Sequence, residues 1–501
     1  LYSGSSGETF NRSVTLTSTI PGALFANQGD NTPLVFVKGV ASGGATAKTL
    51  VLGGTSRAGG SIQSLISDNS SAAKTSVLKL DPSLWVYDPG SLSFAGGTIV
   101  TATFTAGSNH AVRVNNSTLG VAPGMPLSGT GVPAGATVAS VVGNTLWLNI
   151  PIASNQSIAS GTVLSIGSLN SFSGNLSIAS GTFRLKASKP NLISGSVLFI
   201  ADNAFPGLGR QGAGGRLEYE ASAPGTYAAG SLFAVAGQGV VALTAGGTLT
   251  FSSMGSRSPG ATLDFQPGLG SIGIGSGSLT SGILGGWSTF NGVDFAGTLA
   301  GGTLGKYTSY GTFSPSGAFP TTNLWLTGGS TTSGTLLLNA LKLSGAGTLA
   351  LGGTLTLLSG GLLFDNSFGA SSIVSSSAAY TLGGTGELIL TVNGSVAANS
   401  LSVAAPLGSG SASLTKGGTG TLVLSGSSVY SGDTVLNAGT LRLQGGSVVL
   451  GAPAAAAFLT VRQGAVLDVN AAGALAGLFA GGTLLPVAGA GVLRGAGLVD
   501  N

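Results

Sequence analysis

Few residues in this sequence combine the type and the spacing that chemistry needs. Glu218 and Glu220 lie two apart in Arg216-Leu217-Glu218-Tyr219-Glu220. On a strand, successive side chains alternate sides, so the two carboxylates share a face and are a candidate general acid and base. The same alternation, with Leu217 and Tyr219 on the other side, describes a solvated strand face, and that reading is preferred. His110 is the only histidine and has no evident partner for proton transfer. With one histidine and no cysteine, zinc sites built from nitrogen and sulfur are excluded. Asp264, Asp294, Asp365 and Asp433 stand singly in turn-like surroundings, where Asp commonly bonds its own backbone. They form neither the acidic clusters of calcium-binding repeats nor the paired carboxylates of a polysaccharide-cleaving enzyme. The glycine-rich residues 270–277 are followed by no helix, so a phosphate there would meet no helix N-terminus. Gly305-Lys306-Tyr307 lacks the Ser or Thr that a phosphate-binding loop places after its Lys. Trp287 and Phe295 read as internal packing in preference to a recognition patch. No catalytic, cofactor-binding or metal-binding residue is assigned, and no cofactor is expected.

The elements that would have to position any such group are short strands. The stretch 414–444 holds Gly420-Thr421-Leu422-Val423-Leu424 and Gly439-Thr440-Leu441-Arg442-Leu443, joined by a link rich in Ser and Gly. Period-2 alternation bounded by Gly, Ser, Asn and Asp is a strand signature. Leu441 and Leu443 fall on one face, Arg442 and Gln444 on the other. Leu422 precedes Leu441 by 19 residues, a spacing typical of one solenoid coil. A strand this short cannot bury its apolar face alone, so it needs copies stacked above and below.

Copies are present. The fourteen residues from Phe172 to Leu185 read without a gap against those from Tyr430 to Leu443, 258 positions later. A weaker copy starts at Lys79, passes Trp85 and reaches Phe94-Ala95-Gly96-Gly97-Thr98, matching Lys416, Leu422 and Tyr430–Thr434 with one extra residue. The order G-x-G-T-L-x-L-x-G, then [FY]-[ST]-G-G-T, then N-A-G-T-L resembles the autotransporter-associated β-strand repeat, found in passenger regions of large secreted bacterial surface proteins. Asp433 departs from the pattern, where the family more often has Gly. Two further stretches, 257–265 and 283–296, resemble segments of the same proteins. The resemblance touches most of the chain outside roughly 103–167. It implies an extracellular, cell-surface location and, with the crossover rule for parallel strands, a right-handed winding.

Composition agrees with many strands and turns. Of 501 residues 88 are glycine, 43% are hydrophobic and 7% are charged. Disordered chains are poor in apolar residues, and collagen needs Gly at every third position, so both classes fail. The formal net charge is only +4 and no Lys/Arg cluster marks a nucleic-acid footprint. No run of about 18 apolar residues would span a membrane. The absence of an initiating Met and of a signal peptide reads as a processed, trimmed or partial chain.

The expected fold is therefore all-β: a right-handed parallel β-helix of roughly twenty coils with a small β insertion, forming a rod on the order of 100 Å long. Its expected parts are N-terminal coils at 1–102, an inserted small β domain at 103–167, where prolines and paired strands break the rhythm, and the main β-helix at 168–501. Leu422, Leu424, Leu441, Leu443, Phe183 and Leu185 are expected inside, with Arg184 and Arg442 outside. A short helix near 454–458 is a further expectation. Gly and Ser/Thr punctuating short Leu/Val/Ile runs leave a protein whose chemistry is its backbone. A structural or adhesive surface role is favoured over a carbohydrate- or surface-binding module. A polysaccharide-cleaving enzyme is disfavoured by the missing carboxylate clusters. Expected partners are further copies stacked end to end as a filament, or neighbouring repeats of a longer chain, with surface glycans as an alternative.

Overall fold

The computed structural model is all-β. Its described residues form strands and two short 3-10 turns, Ala300–Gly302 and Asn366–Phe368, with no α-helix among them. Described are residues 214–444 apart from 222–225, 299, 395, 397, 409–412 and 429, together with 450 and 458–469. Before residue 201 the longest described stretches are 46–56, 73–88, 138–149 and 172–187, and after 469 there are short strands between 479 and 494. The helix expected near 454–458 lies almost wholly outside the described residues, as does His110.

Strand Thr440–Leu443 shows why the chain folds as it does. Leu441 and Leu443 are fully buried, while Arg442 keeps half of its side chain in water. Its neighbour is Thr421–Leu424, in parallel register with Leu422 opposite Leu441, the 19-residue offset read from the sequence. Ser400–Val403 and Val466–Asp468 extend the same ladder on either side. Each strand thus buries its leucines against copies above and below, since it has too few residues to do so alone. The equivalent strand Thr182–Ala187 places Phe183 and Leu185 inside and Arg184 half out. All six residues expected in the interior are buried.

A rung crosses three sheets. Gln238–Leu243, Thr248–Phe251 and Met254–Arg257 follow one another in the chain but belong to different ladders, each pairing in parallel with strands of adjacent rungs. Thr348–Leu351 and Leu355–Leu357 likewise sit in separate sheets, so Gly352-Gly353 turns a corner and does not close a hairpin. Among the described residues antiparallel pairs occur in 92–166, at the end of the first stack between 273 and 306, and in the tail at 479–484.

The described strands between 92 and 166 take no part in the ladder. Leu84–Tyr87 pairs directly with Thr182–Ala187, and Thr75–Lys79 with Leu176–Ile178, so adjacent rungs meet as if nothing lay between them. The described strands of that stretch pair only with one another, for example Thr145–Leu148 between Ala111–Arg113 and Val138–Val142.

The single rod expected from the repeat is corrected by the tertiary contacts. Most buried side chains fall into two large cores, one between Leu16 and Leu304 and one between Leu324 and Val469, and a small cluster of Ile283, Phe295, Ala340 and Leu363 lies between them. Lys342 contacts Asp294, Glu387 pairs with Arg257, Gly418 bonds to Gln238, and Gln463 bonds to Ser180. Second-stack positions rise as first-stack positions fall, so the chain turns near 283–316 and runs back alongside itself. Glycines permit the close approach: a Cβ on Gly361 would lie 2.2 Å from the Gly286 Cα.

Outward positions away from this seam carry little energy. Arg442 reaches Asp468 in the next rung at 2.9 Å, a half-exposed pair. Arg442→Ser is expected to change stability by less than about 1 kcal/mol, read as a near-unchanged midpoint in urea.

Candidate functional site: the polar seam and the buried lysines

Strand Arg216–Ala221 carries the two glutamates singled out as an acid and base. Parallel register sets Glu218 beside Arg184, and Nε of Arg184 and Nε of Arg216 each donate to it at 2.7 Å. Burial alone would raise the Glu218 carboxyl, but the hydrogen bonds from Arg216 and Arg184 outweigh it and hold the group below the usual carboxylate range. Glu220 lies 3.8 Å from Arg184 and is more exposed. A carboxylate fixed in its ionised form by two guanidinium groups cannot deliver a proton, so the pair is a charge ladder across rungs. The face is less solvated than alternation implied, because side chains from adjacent rungs cover Glu218.

The aspartates divide. Asp264 and Asp294 lie in strands, not turns, and both face the second stack. Asp264 is buried; Gln266, Thr289 and the Gly292 N–H donate to it, and burial nonetheless raises its carboxyl. Asp365, at the end of strand Gly361–Asp365, caps the turn at Asn366–Phe368 by accepting from the Ser367 N–H, the local bond expected of it, whereas Asp433 accepts from the Phe458 N–H of the next rung. Residues 271–274 are a strand, and Lys306 ends another, so neither glycine-rich stretch is a phosphate loop. Phe295 is buried and Trp287 half-buried beneath Arg257.

Sequence reasoning missed the seam itself. Glu387 accepts from the Gly260 N–H and Thr415, and pairs with Arg257 at 2.6 Å. Asn437, in the repeat's N-A-G motif, donates to the Gly260 carbonyl at 2.7 Å. Beside Asp264, Trp287 and Asn393 the seam encloses about 10 Å³, room for one water and not for a sugar. Further along, an open groove of about 410 Å³ lies between Thr182, Arg216 and Gln238 on one stack and Thr419 and Gln463 on the other. None of its described lining residues is a carboxylate or an aromatic. Among the described residues no three His, Cys, Asp or Glu side chains are grouped to hold a metal.

The second feature missed is a pair of fully buried lysines at matching places. Lys79 Nζ donates to the carbonyls of Leu80, Asp81 and Ser180. Lys416 Nζ donates to those of Gly417, Gly418 and Ala438. Each ammonium ties its own turn to the turn of the next rung, and Ser180 and Ala438 occupy the same position in the two gap-free copies. The matched lysines in the weak third copy were the available signal.

Burial pushes both lysines down to about 7, offset at Lys79 by the charge of Asp81. Between about 7 and the ordinary value of 10.5, the unfolded chain therefore binds more protons than the folded one. Stability is expected to climb as pH rises through that window and to lose this dependence below it. Urea midpoints at pH 7 and pH 10 check this, and Lys416→Met is expected to remove about half of the rise. A midpoint that falls over the same window would contradict it.

Residues 414–443 match the passenger-associated-transport-repeat family. The chain thus carries an autotransporter-passenger repeat, in the stretch that holds Lys416, Asn437 and the paired leucines. No curated protein matches the chain. Among solved structures it is similar to the gp54 tailspike of Acinetobacter baumannii bacteriophage AP22 in complex with A. baumannii capsular saccharide. That match has 10% identity, covers 88% of this chain and 73% of that one, and has a TM-score of 0.13. The Pseudomonas phage phi297 tailspike gp61 matches at 11% identity over 89% and 70%, with a TM-score of 0.14. The tailspike gp49 of Pseudomonas phage LKA1 matches at 12% identity over 93% and 72%, also at 0.14. Likenesses of this size carry no argument.

Proposed function

We propose that this chain is part of a bacterial surface passenger whose work is structural or adhesive, each stack being a right-handed parallel β-helix and 103–167 a small β domain carried outside the stacks. The observation that carries it is the repeat at 414–443 built into an unbroken parallel ladder from Ser400–Val403 to Val466–Asp468. Right-handed winding is the near-universal sense for strand-to-parallel-strand crossovers. Arg442 and Asp468 on that ladder pair with each other, and Arg257, Glu387, Gln238 and Asn437 are engaged across the seam, which favours a scaffold over a site that turns over substrate.

Self-association belongs to the same reading. Strands Glu8–Phe10 and Val492–Arg494 stand at the ends of their ladders, each with one paired edge among the described residues. In this reading these edges meet further copies end to end as a filament, or neighbouring repeats of a longer chain.

Protease treatment of intact cells is expected to remove the protein, and the purified chain is expected to release no reducing ends from bacterial polysaccharides. Protection until lysis would overturn the location, and steady release of reducing ends would overturn the non-enzymatic reading.

A further inference from the structure

We propose that Lys342 and Asp294 are joined by an autocatalytic amide bond that locks the two stacks together. This goes beyond the scaffold reading, since it assigns a covalent modification to named atoms. Lys342 lies on Leu336–Ser344 of the second stack and Asp294 on Asp294–Thr298 at the end of the first. Lys342 Nζ touches Asp294 Oδ1, with only 4% and 16% of the two side chains exposed. The amine sits 4.5 Å from the centroid of the Trp325 ring and 5.9 Å from that of Tyr310. The Tyr310 hydroxyl donates to the same Asp294 oxygen at 3.4 Å. Tyr310 packs against a buried apolar cluster of Ile283, Phe295, Ala340 and Leu363, drawn from both stacks.

An amine held against a carboxyl group in one fixed geometry has the entropic advantage of an intramolecular reaction. A proton passes from the Nζ ammonium to the carboxylate, and the amine lone pair then attacks Cγ to form the C–N bond. Negative charge develops on Oδ2, which re-forms the carbonyl as the Cγ–Oδ1 bond breaks. Oδ1, to which the Tyr310 hydroxyl donates, leaves as water with the proton it received and one more from Nζ. The net change is ammonium plus carboxylate giving amide plus water, with no oxidant or reductant. In a chain without cysteine, such a bond does what a disulfide across the seam would do.

Mass spectrometry of the purified, folded chain tests it. The intact mass is expected to fall one water below the sequence mass, and a digest is expected to yield a branched peptide joining the segments around Lys342 and Asp294. Lys342→Arg and Asp294→Ala should each restore the full mass; denatured samples suffice for this reading. Tyr310→Phe is expected to slow appearance of the lighter species after refolding. A wild-type chain with a cooperative melt and the full sequence mass would overturn the proposal. A lighter mass that persists in Asp294→Ala would also overturn it.

Discussion

Leu441→Asp is expected to destabilise the second stack by roughly 4–6 kcal/mol, enough to unfold it near room temperature or to abolish soluble expression. Leu441 is fully buried and sits in register between Leu422 and Leu467. The substitution removes aliphatic packing and leaves a carboxylate facing leucines above and below, with no donor in reach. Because rungs contact mainly their neighbours, the damage should spread along the ladder from that rung. Urea unfolding followed by circular dichroism measures it. A midpoint shift as small as that of Arg442→Ser would show that the inner and outer faces are wrongly assigned.

Gly361→Val is expected to cost about 3 kcal/mol and to open the seam, although Gly361 carries no side chain to lose. Its Cβ would meet the Gly286 Cα at 2.2 Å, and a Cβ on Gly286 would meet the Gly361 Cα at 2.3 Å. Backbone cannot rotate away as a side chain can, so the two stacks must separate locally. Gly386→Ala is the matched control, since nothing lies within 4 Å of a Cβ there. Hydrogen exchange at Arg257, Gly260 and Glu387 should accelerate in the first variant and not in the second. Equal exchange in both would mean that the glycine contact does not hold the seam.

The sequence made the rung legible because a rung is a local object. Leucine alternation, the turn residues and the offset between Leu422 and Leu441 all lie within one coil, and parallel register reproduces them. The correspondence of the segments at Phe172 and Tyr430 was equally readable, since stacked copies bury the same positions. The fold-back was not. Its contacts join residues 48 to 283 positions apart, and they use Asn437, Gln238 and Glu387, which on a strand's outer face look like solvated polar groups. Glycine at 286 and 361 looks like one more turn residue until another backbone is seen against it. Glu218 misled for a related reason: alternation tells which side a residue faces, not that Arg184 in the adjacent rung will cover it. The buried lysines ran against composition, because Lys is rarely buried without partners, and theirs are backbone carbonyls that leave no trace in sequence.

The central claim is that one chain forms two ladder stacks lying side by side in opposite directions. A cysteine pair tests it most directly, because the chain has no cysteine of its own. The Ser180 hydroxyl donates to Gln463 Oε1 at 3.1 Å across the seam, although the residues are 283 positions apart. In Ser180→Cys/Gln463→Cys, mild oxidation of the dilute folded chain should form an intramolecular disulfide quickly, seen as a faster-migrating band that reductant reverses. A single continuous rod would hold the same two positions many rungs apart at about 4.8 Å per rung, beyond the reach of any disulfide. Two free thiols after oxidation of the folded monomer would contradict the fold-back.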